Sequence, residues 1–482
     1  MKRNLHNSLQ NTLKILNWIN RHPYLSSFIN GLMGGAIFSG SIFDFIFSSV
    51  AIVWFLKNNE THQNPLLCTF LFLWAFFMMP LYWIPSALFV EIESFWWLVP
   101  FCFAGIPAAL AAIYTVVSFL VPWRRRSPVL KLFLFAVFWV VAEFVSSFIF
   151  TGFPWALIGY SWDSLPMLQF ASVGSVYGVS FFSILVLGAP YLWLQNYRSP
   201  WPWVILALWG GIYSWGYYRL EKNPTQFTGV SVRLVQPNIP QVFKWEYGLQ
   251  ESNLRKILNL VERPAAQPIQ VVIWPEAAFG FDLEKDSHFC FKVAASLPSG
   301  STLVTGAMRY AGRQGFNSVF ALSSGGDILA TYDKHHLVPF GEYIPLRRYL
   351  EMVFPKNHLR IITAGLGDFA EGPGPRTLAI NNIPPFSPLI CYEVVFPGQV
   401  VDPTHKPDWL LSVTNDAWFG DTAGPRQHLK IAQVRAIEES IPLIRVANTG
   451  ISAIIDPCGR LIKTLPLNTT GVLDGYLPRG LS

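Results

Sequence analysis

Two patterns of apolar residues divide the chain near residue 218. Before this point, long apolar runs follow one another with short polar breaks, and a run of about 20 residues can cross roughly 30 Å of hydrocarbon. After it, short β-rich runs alternate with amphipathic stretches, which is typical of an α/β domain with a buried sheet. The patterns predict a polytopic helical membrane domain over 25–218, preceded by a segment over 1–24, and a second domain over 219–482.

The apolar runs of the first half predict about seven membrane spans, of which the first two are short. The predicted spans are 26–41, 42–56, 66–88, 95–121, 129–150, 168–194 and 201–218.

The second half predicts strands that alternate with helices. The predicted strands are 231–235, 269–274, 302–307, 317–322, 328–332, 376–380, 386–390, 409–413, 443–447, 451–455 and 460–465. The predicted helices are 246–262, 287–296, 393–401 and 425–440. Residues 339–372 are rich in Pro and Gly, and a loop of that length in a compact domain is more often a lid or binding arm than a connector.

Charge is scarce and unevenly distributed. Charged residues make up 13% of the chain, against about 25% in soluble domains. Lys and Arg lie at the N-terminus, at Lys57, at Arg124–Arg126 and at Arg198, and the intervening loops carry Glu91, Glu93 and Asp163. By the positive-inside rule, this alternation predicts a cytoplasmic N-terminus and an extracytoplasmic 219–482. The net charge of +6 therefore reports on topology and not on nucleic acid binding. No cleavage pattern follows the first apolar run, so we expect no cleavable signal peptide.

Three polar residues follow predicted strands of the second domain. Cys391 directly follows the predicted strand 386–390. Glu276 lies two residues after the predicted strand 269–274, and Lys334 lies two residues after the predicted strand 328–332. Taken singly, each has an ordinary interpretation, as a buried structural cysteine, a capping glutamate and a solvated lysine. A cysteine on a turn after a strand is presented at the sheet edge, where a backbone N–H can serve an oxyanion.

The sequence does not favour a metal site. His335 and His336 are adjacent, and neighbouring side chains on a strand point to opposite faces. The five cysteines form no CxxC pattern and no Cys/His cluster, so we expect neither a metal ion nor a disulfide framework.

Together, Glu276, Lys334 and Cys391 resemble the Glu-Lys-Cys triad of the nitrilase superfamily. The resemblance implies that Glu276 acts as general base and later as acid. Cys391 would attack an acyl carbon and form a thioester. Lys334, helped by the backbone N–H of Tyr392, would stabilise the tetrahedral intermediate. This chemistry requires no metal and no organic cofactor.

Over about residues 25 to 478, the chain is similar to the bacterial apolipoprotein N-acyltransferase family. The resembling stretches are Val235–Pro240 with Lys244-Trp245, Ile273–Glu276, Lys334–Glu342, Cys391–Glu393, Asn415–Gly420, Arg445–Ser452 and, in the membrane half, Thr151–Trp155. The run Lys-His-His-Leu-Val-Pro-Phe-Gly-Glu at 334–342 is the most discriminating stretch, because it is long and contains two polar residues of the family's site, Lys334 and Glu342.

This resemblance implies a fold, a location and a reaction. The second domain would be a nitrilase-like αββα sandwich on the periplasmic face of the inner membrane. It would take an acyl chain from a membrane phospholipid and pass it to the N-terminal α-amine of a diacylglyceryl-modified apolipoprotein. Glu342, Tyr392 and Glu393 would support the site, and Trp245 would lie on a mobile arm near the substrate entrance. The candidates for an acyl-chain groove are Phe340, Tyr343, Ile344, Leu346, Met352, Val353 and Phe354.

Two other functions compete with this interpretation. A membrane-anchored amidase or nitrilase would use the same three residues, with water in place of the amine acceptor. A transporter or receptor with a degenerate binding module would not be expected to retain all three. The family usually has a further membrane helix after the second domain, and no such apolar run precedes Ser482.

Overall fold

The computed structural model describes residues 22–59, 64–122, 124–347, 349, 352 and 368–481. The chain divides into two compact units between Tyr218 and Arg219. Most of the predicted lid at 339–372 lies outside the described residues, including Val353 and Phe354.

The apolar runs of the first unit form helices, because a backbone in apolar surroundings must satisfy its own hydrogen bonds. The principal helices are α1 Pro23–Gly35, α2 Ile42–Asn58, α3 Pro65–Leu81, α4 Ile106–Leu120, α5 Pro128–Ser146, α6 Ala171–Gln195 and α7 Trp201–Lys222. Shorter helical segments are Ala36–Ser39, Ile84–Glu91, Ile92–Phe95, Trp96–Leu98, Phe101–Gly105, Ile149–Thr151, Ile158–Ser161 and Leu165–Leu168.

Within the described residues, three helical stretches are long and apolar enough to cross a membrane. They are Phe101–Leu120, Pro128–Ser146 and Ala171–Gln195, and the bent pair Pro65–Leu81 with Ile84–Val90 is a fourth if it forms one span. Helices α1 and α2 have 13 and 17 residues, and an α-helix of 13 residues extends only about 20 Å. The count of about seven spans therefore stays a prediction.

Two mixed sheets form the second unit. Their strands are β1 Phe227–Gln236, β2 Val271–Ile273, β3 Thr302–Ala311, β4 Gln314–Leu322, β5 Ile328–Asp333, β6 Leu378–Ile380, β7 Ile383–Ile390, β8 Trp409–Thr414, β9 Leu443–Ala447, β10 Ser452–Ile455, β11 Leu461–Leu465 and β12 Gly471–Pro478. The strand order is β12-β1-β2-β3-β4-β5 in one sheet and β11-β10-β9-β8-β7-β6 in the other. Strands β1, β2 and β3 run parallel to one another, and so do β7, β8 and β9, so the carboxyl ends of these central strands share an edge of each sheet.

Alternate side chains of the strands face opposite sides of the first sheet and pack into two hydrophobic cores. Val271 and Ile273 of β2 belong to a core between the sheets that also holds Phe386 and Trp409 of the second sheet. The intervening Val272 instead packs with helices α8 Gln250–Val261 and α9 Ser287–Ala295 on the outer side of the first sheet. Helix α10 Gly424–Glu439 packs on β9. The resulting order of layers confirms the predicted αββα sandwich.

Two local features of the second unit differ from the predicted elements. The helix predicted at 393–401 is wrong, because only a five-residue 3-10 turn forms, at Cys391–Val395. Pro397 follows this turn, and a proline disfavours helical geometry in the residue before it. Strand β12 was not predicted, because its two glycines weaken the strand pattern. It pairs with β1 in antiparallel orientation.

An ion pair between a buried arginine and a partly exposed aspartate joins β12 to β1. Nε and Nη2 of Arg233 donate to the two carboxylate oxygens of Asp474 at 2.8 and 2.7 Å. Nη1 of the same side chain donates to the carbonyl oxygen of Val261, at the end of α8, at 2.6 Å. One buried guanidinium therefore ties the sheet edge to the helical layer.

Replacing Arg233 with Met should destabilise the second unit, because Asp474 would keep its charge without a partner. Asp474 keeps a quarter of its side chain exposed, so water solvates part of its charge and we expect a loss of about 2 kcal/mol, which corresponds to a fall of roughly 5 °C in unfolding temperature for a unit of this size. Thermal unfolding of the detergent-solubilised full chain measures this change. Arg313→Met, at the exposed β3–β4 turn, is the matched control. Equal unfolding temperatures for the two variants would contradict the prediction.

Candidate active site

Cys391 directly follows β7 and begins the 3-10 turn. Its φ angle is +52°, a left-handed conformation that costs a residue with a side chain about 1–3 kcal/mol. The strand β7 and the packed turn hold the cysteine in this conformation at the strand end, which is the geometry of a nucleophile elbow. Burial raises the pKa of the Cys391 thiol, and the charge of Glu276 raises it further, whereas Lys334 lowers it.

Glu276 follows β2 on a segment that runs beside β3. A Cβ atom at Gly306 of β3 would lie 2.6 Å from the Cα of Glu276, so a glycine is required for the two backbones to approach this closely. The N–H of Ala278 donates to the carbonyl of Gly306 at 2.9 Å and keeps the segment in place. Glu276 is buried, and this burial raises its pKa, although Lys334 opposes the shift.

Lys334 follows β5, and its ammonium lies in a buried polar network. Its Nζ lies 2.9 and 2.8 Å from the two carboxylate oxygens of Glu342. Nδ2 of Asn317, on β4, donates to Oε1 of Glu276 at 2.8 Å and to Oε1 of Glu342 at 3.0 Å. Burial by itself lowers the pKa of Lys334, but Glu342 and Glu276 together outweigh it and raise the pKa. The lysine therefore stays protonated beside the two carboxyl groups.

Glu393 connects the Cys391 turn to the loop that carries Lys334. It is fully buried and accepts hydrogen bonds at 2.8 Å from the Tyr332 hydroxyl, the His335 N–H and the Ile390 N–H. Burial raises the pKa of Glu393, but His335 and the other donors outweigh it and lower the pKa. An ionised Glu393 thus fixes the two segments relative to each other.

The two predicted aromatic residues have different surroundings. Tyr392 is buried and packs edge to face against Phe396, with ring centroids 5.0 Å apart. Trp245 is exposed and follows the short helix Gln241–Lys244. Its ring centroid lies 5.7 Å from Nζ of Lys244.

Lys244 and Asn317 are polar residues of the site whose roles were not predicted. Nζ of Lys244 donates to the backbone carbonyl of Glu276 at 3.0 Å. Burial lowers the pKa of Lys244 to about 8, against the opposing charges of Glu276 and Cys391. The signal for Lys244 was its place beside Trp245 in a resembling stretch. The sequence signal for Asn317 was a polar amide two residues before Val319, on the strand face whose apolar residues pack into the core between the sheets.

The arrangement combines a thiol on a strained backbone turn, a carboxyl group of raised pKa and an ammonium of raised pKa. These are the groups that a covalent acyl transfer needs as nucleophile, base and oxyanion stabiliser. Across the part of the chain that the structure describes, no three His, Cys, Asp or Glu side chains form a group that could hold a metal ion.

Two facing sheets with a cysteine, a lysine and a glutamate at strand ends define a carbon-nitrogen hydrolase, and residues 231–481 match the family model described as Carbon-nitrogen hydrolase. In solved structures, this fold is similar to an amidase from Nesterenkonia sp., with a TM-score of 0.38 and 21% identity over 52% of this chain and 92% of that chain. It is also similar to a CN-hydrolase superfamily protein from Xanthomonas campestris, with a TM-score of 0.37 and 19% identity over 52% of this chain and 90% of that chain.

The membrane half narrows the family. Residues 31–189 match the model described as Apolipoprotein N-acyltransferase N-terminal domain. The apolipoprotein N-acyltransferase of Rickettsia bellii is 35% identical, over 95% of this chain and 92% of that protein. That of Rhodopseudomonas palustris is 36% identical, over 84% of this chain and 78% of that protein. The chain therefore belongs to the apolipoprotein N-acyltransferase family, a family of membrane acyltransferases, as the sequence motifs predicted.

Replacing Lys244 with Met should raise the unfolding temperature near neutral pH and remove a pH-dependent component of stability. The pKa of Lys244 is lowered from 10.5 to about 8, so the ammonium destabilises the folded state by about 3 kcal/mol where it is charged in both states. As the pH rises from about 8 to about 10.5, the folded protein releases this proton before the unfolded chain does, and stability rises.

Thermal unfolding of both proteins from about pH 7 to about pH 10 measures the difference. The variant should be more stable than the native protein at the lower pH, and the gap should close at the higher pH. Lys406→Met, at an exposed lysine, should follow the native pH trend. A gap that stays constant with pH would show that the Lys244 ammonium is not destabilised by burial.

Proposed function

We propose that this protein transfers an acyl chain from a membrane phospholipid, through a thioester on Cys391, to the N-terminal α-amine of diacylglyceryl-modified apolipoproteins. The observation that carries the proposal is a buried thiol on a strained turn, acted on by the charges of Glu276 and Lys334. The alternative of an amidase that acts on small amides is not favoured, because residues 31–189 match an N-acyltransferase domain.

In the first half-reaction, the sulfur of Cys391 attacks the ester carbonyl carbon of the phospholipid while Glu276 accepts the thiol proton. The raised pKa of Glu276 suits a base that works near neutral pH. The charge that develops on the carbonyl oxygen is stabilised by Lys334 and by the N–H of Tyr392. The ester C–O bond then breaks, Glu276 returns the proton to the leaving alcohol, and Cys391 is left as a thioester.

In the second half-reaction, the α-amine of the lipoprotein attacks the thioester carbon. Glu276 accepts a proton from the amine, the C–S bond breaks, and the departing sulfur takes that proton to regenerate the thiol. The same donors stabilise the second oxyanion. Lys334 can serve in both halves because Glu342 keeps it protonated.

Exposed apolar side chains near the site support lipid substrates. Phe340, Leu346 and Met352 are exposed in the segment that follows Lys334, and Trp245 is exposed next to Lys244. Exposed large apolar groups that are clustered in sequence mark surfaces for apolar partners or membranes. Of the other predicted groove residues, Tyr343 is half-buried, and Ile344 is buried and does not present a surface to an acyl chain.

The proposed location follows from the substrates and the loop charges. Residues 1–24 and the loops near Lys57, Arg124–Arg126 and Arg198 are placed in the cytoplasm, with about seven spans in the inner membrane between them. The catalytic domain over 219–482 is placed in the periplasm. Anchoring it at the bilayer presents both lipid substrates in two dimensions at high effective concentration.

The purified protein, given phosphatidylethanolamine in detergent micelles without acceptor, should gain one acyl chain on Cys391. Hydroxylamine or a lipopeptide with a free α-amine should release it. Cys391→Ala should form no adduct, and Cys391→Ser should be nearly inactive, because an alcohol is harder to deprotonate than a thiol of pKa about 8.5. Glu276→Gln should lower the rate by about 10²–10⁴-fold, and Lys334→Ala by a comparable factor.

Peptide mass spectrometry locates the adduct. Cys290→Ala, which alters another buried cysteine of the same unit, is the matched control and should keep both the adduct and turnover. Because the three residues act as a unit, double variants should lose little more than the worst single variant. An adduct on another residue, or full turnover in Cys391→Ala, would refute the mechanism.

The proposed topology is tested by reporter fusions or cysteine labelling at loops. Positions near 60, 125 and 198 should report from the cytoplasm, and position 230 from the periplasm, since the Lys and Arg residues alternate between loops. A cytoplasmic signal from position 230 would remove the catalytic domain from the face on which lipoproteins are proposed to mature.

A further inference from the structure

A second cluster of buried charged groups touches Cys391 through its backbone. Asp416 follows β8, His428 lies on α10 and Arg445 lies on β9, and all three side chains are fully buried. Nη2 of Arg445 donates to Oδ2 of Asp416 at 2.7 Å, and the Thr414 hydroxyl donates to Oδ1 at 3.0 Å. Burial raises the pKa of Asp416, but Arg445 and His428 outweigh it and lower the pKa, so the carboxylate is charged.

The ring of His428 is fixed on both sides. Nδ1 lies 2.9 Å from Oδ1 of Asp416 and 3.0 Å from Nη2 of Arg445. Nε2 lies 3.2 Å from the carbonyl oxygen of Cys391. A carbonyl oxygen can only accept a hydrogen bond, so Nε2 carries a proton and donates it, whether Nδ1 is protonated or not.

This hydrogen bond determines where the next backbone N–H points. The carbonyl of Cys391 and the N–H of Tyr392 belong to one planar trans peptide unit, in which they point in opposite directions. Anchoring the oxygen to His428 therefore aims the N–H of Tyr392 the other way. Left-handed φ at Cys391 is uncommon for a residue with a side chain, so the turn needs external support to hold this peptide.

A contribution to folding stability does not by itself explain why this buried cluster is charged. Buried ionic groups are often replaceable by apolar residues without loss of stability, because desolvation offsets their attraction. Oxyanion stabilisation, in contrast, depends on donors that are oriented before the reaction begins. A buried cluster that donates a hydrogen bond to the carbonyl of Cys391 supplies that orientation.

We propose that His428, held by Asp416 and Arg445, is the positioning residue that orients the Tyr392 N–H as an oxyanion donor. The inference rests on the proposed thioester function of Cys391. His428 forms and breaks no bond in the reaction, and acts through the peptide unit between Cys391 and Tyr392.

Two reactions of Cys391 separate this role from a general structural one. Alkylation by iodoacetamide needs a reactive thiol but develops no oxyanion, whereas acylation by p-nitrophenyl acetate or by phosphatidylethanolamine micelles develops one. His428→Leu removes the donor, and His428→Gln keeps an amide N–H near the position of Nε2. Rates on the full-length protein are followed by mass spectrometry of the Cys391 peptide.

His428→Leu should acylate about 10²–10³-fold more slowly, the usual loss for one oxyanion donor, while its alkylation rate stays close to that of the native protein. His428→Gln should recover most of the acylation rate. Native acylation rates in His428→Leu would overturn the inference, and so would a parallel loss of alkylation and acylation in both variants. If p-nitrophenyl acetate but not phospholipid acylates the native protein, the proposed acyl donor is contradicted. The role of His428 is then still measured with p-nitrophenyl acetate.

Discussion

The ion pair between Lys334 and Glu342 is the interaction on which the rest of the site depends. Burial alone would drive a lysine to lose its proton, and a neutral amine could not stabilise an oxyanion. Glu342 prevents this loss. Because Asn317 donates to both Glu342 and Glu276, the same carboxylate also locates the proposed base. Removing one partner of such a pair costs about 3–5 kcal/mol, so the network is stable only when it is complete.

The site also depends on the packing of one sheet against the other. Glu276 and Lys334 extend from strands of the first sheet, and Cys391 extends from a strand of the second. Their relative positions are therefore set by the core between the sheets, which contains residues of both. Glu393 strengthens this link at the site, since it follows Cys391 in sequence and accepts hydrogen bonds from the loop of the other sheet. A change in sheet packing would be transmitted directly to the proposed nucleophile.

The features that could be predicted from the sequence are those that depend on neighbouring residues. Strands such as β8 and β9 are short apolar runs, so their positions were confirmed closely, and the motifs pointed to the correct family. Contacts between residues distant in sequence left no periodic signal. Asp416 and Arg445 lie in stretches that resemble the family but were given no role, and His428 was not singled out. Only the fold brings the three together behind Cys391. The helix predicted at 393–401 was wrong for a local reason, since Pro397 disfavours helical geometry in the residue before it.

That failed helix has a chemical consequence for a protein proposed to work outside the cytoplasm. A helix over 393–401 would place its N-terminus beside Cys391 and lower the pKa of the thiol through its dipole. Only a short 3-10 turn forms, and burial raises the pKa of the thiol. Peroxides and disulfides react with thiolates, so a thiol of raised pKa reacts with them slowly until a base, for which we propose Glu276, removes its proton.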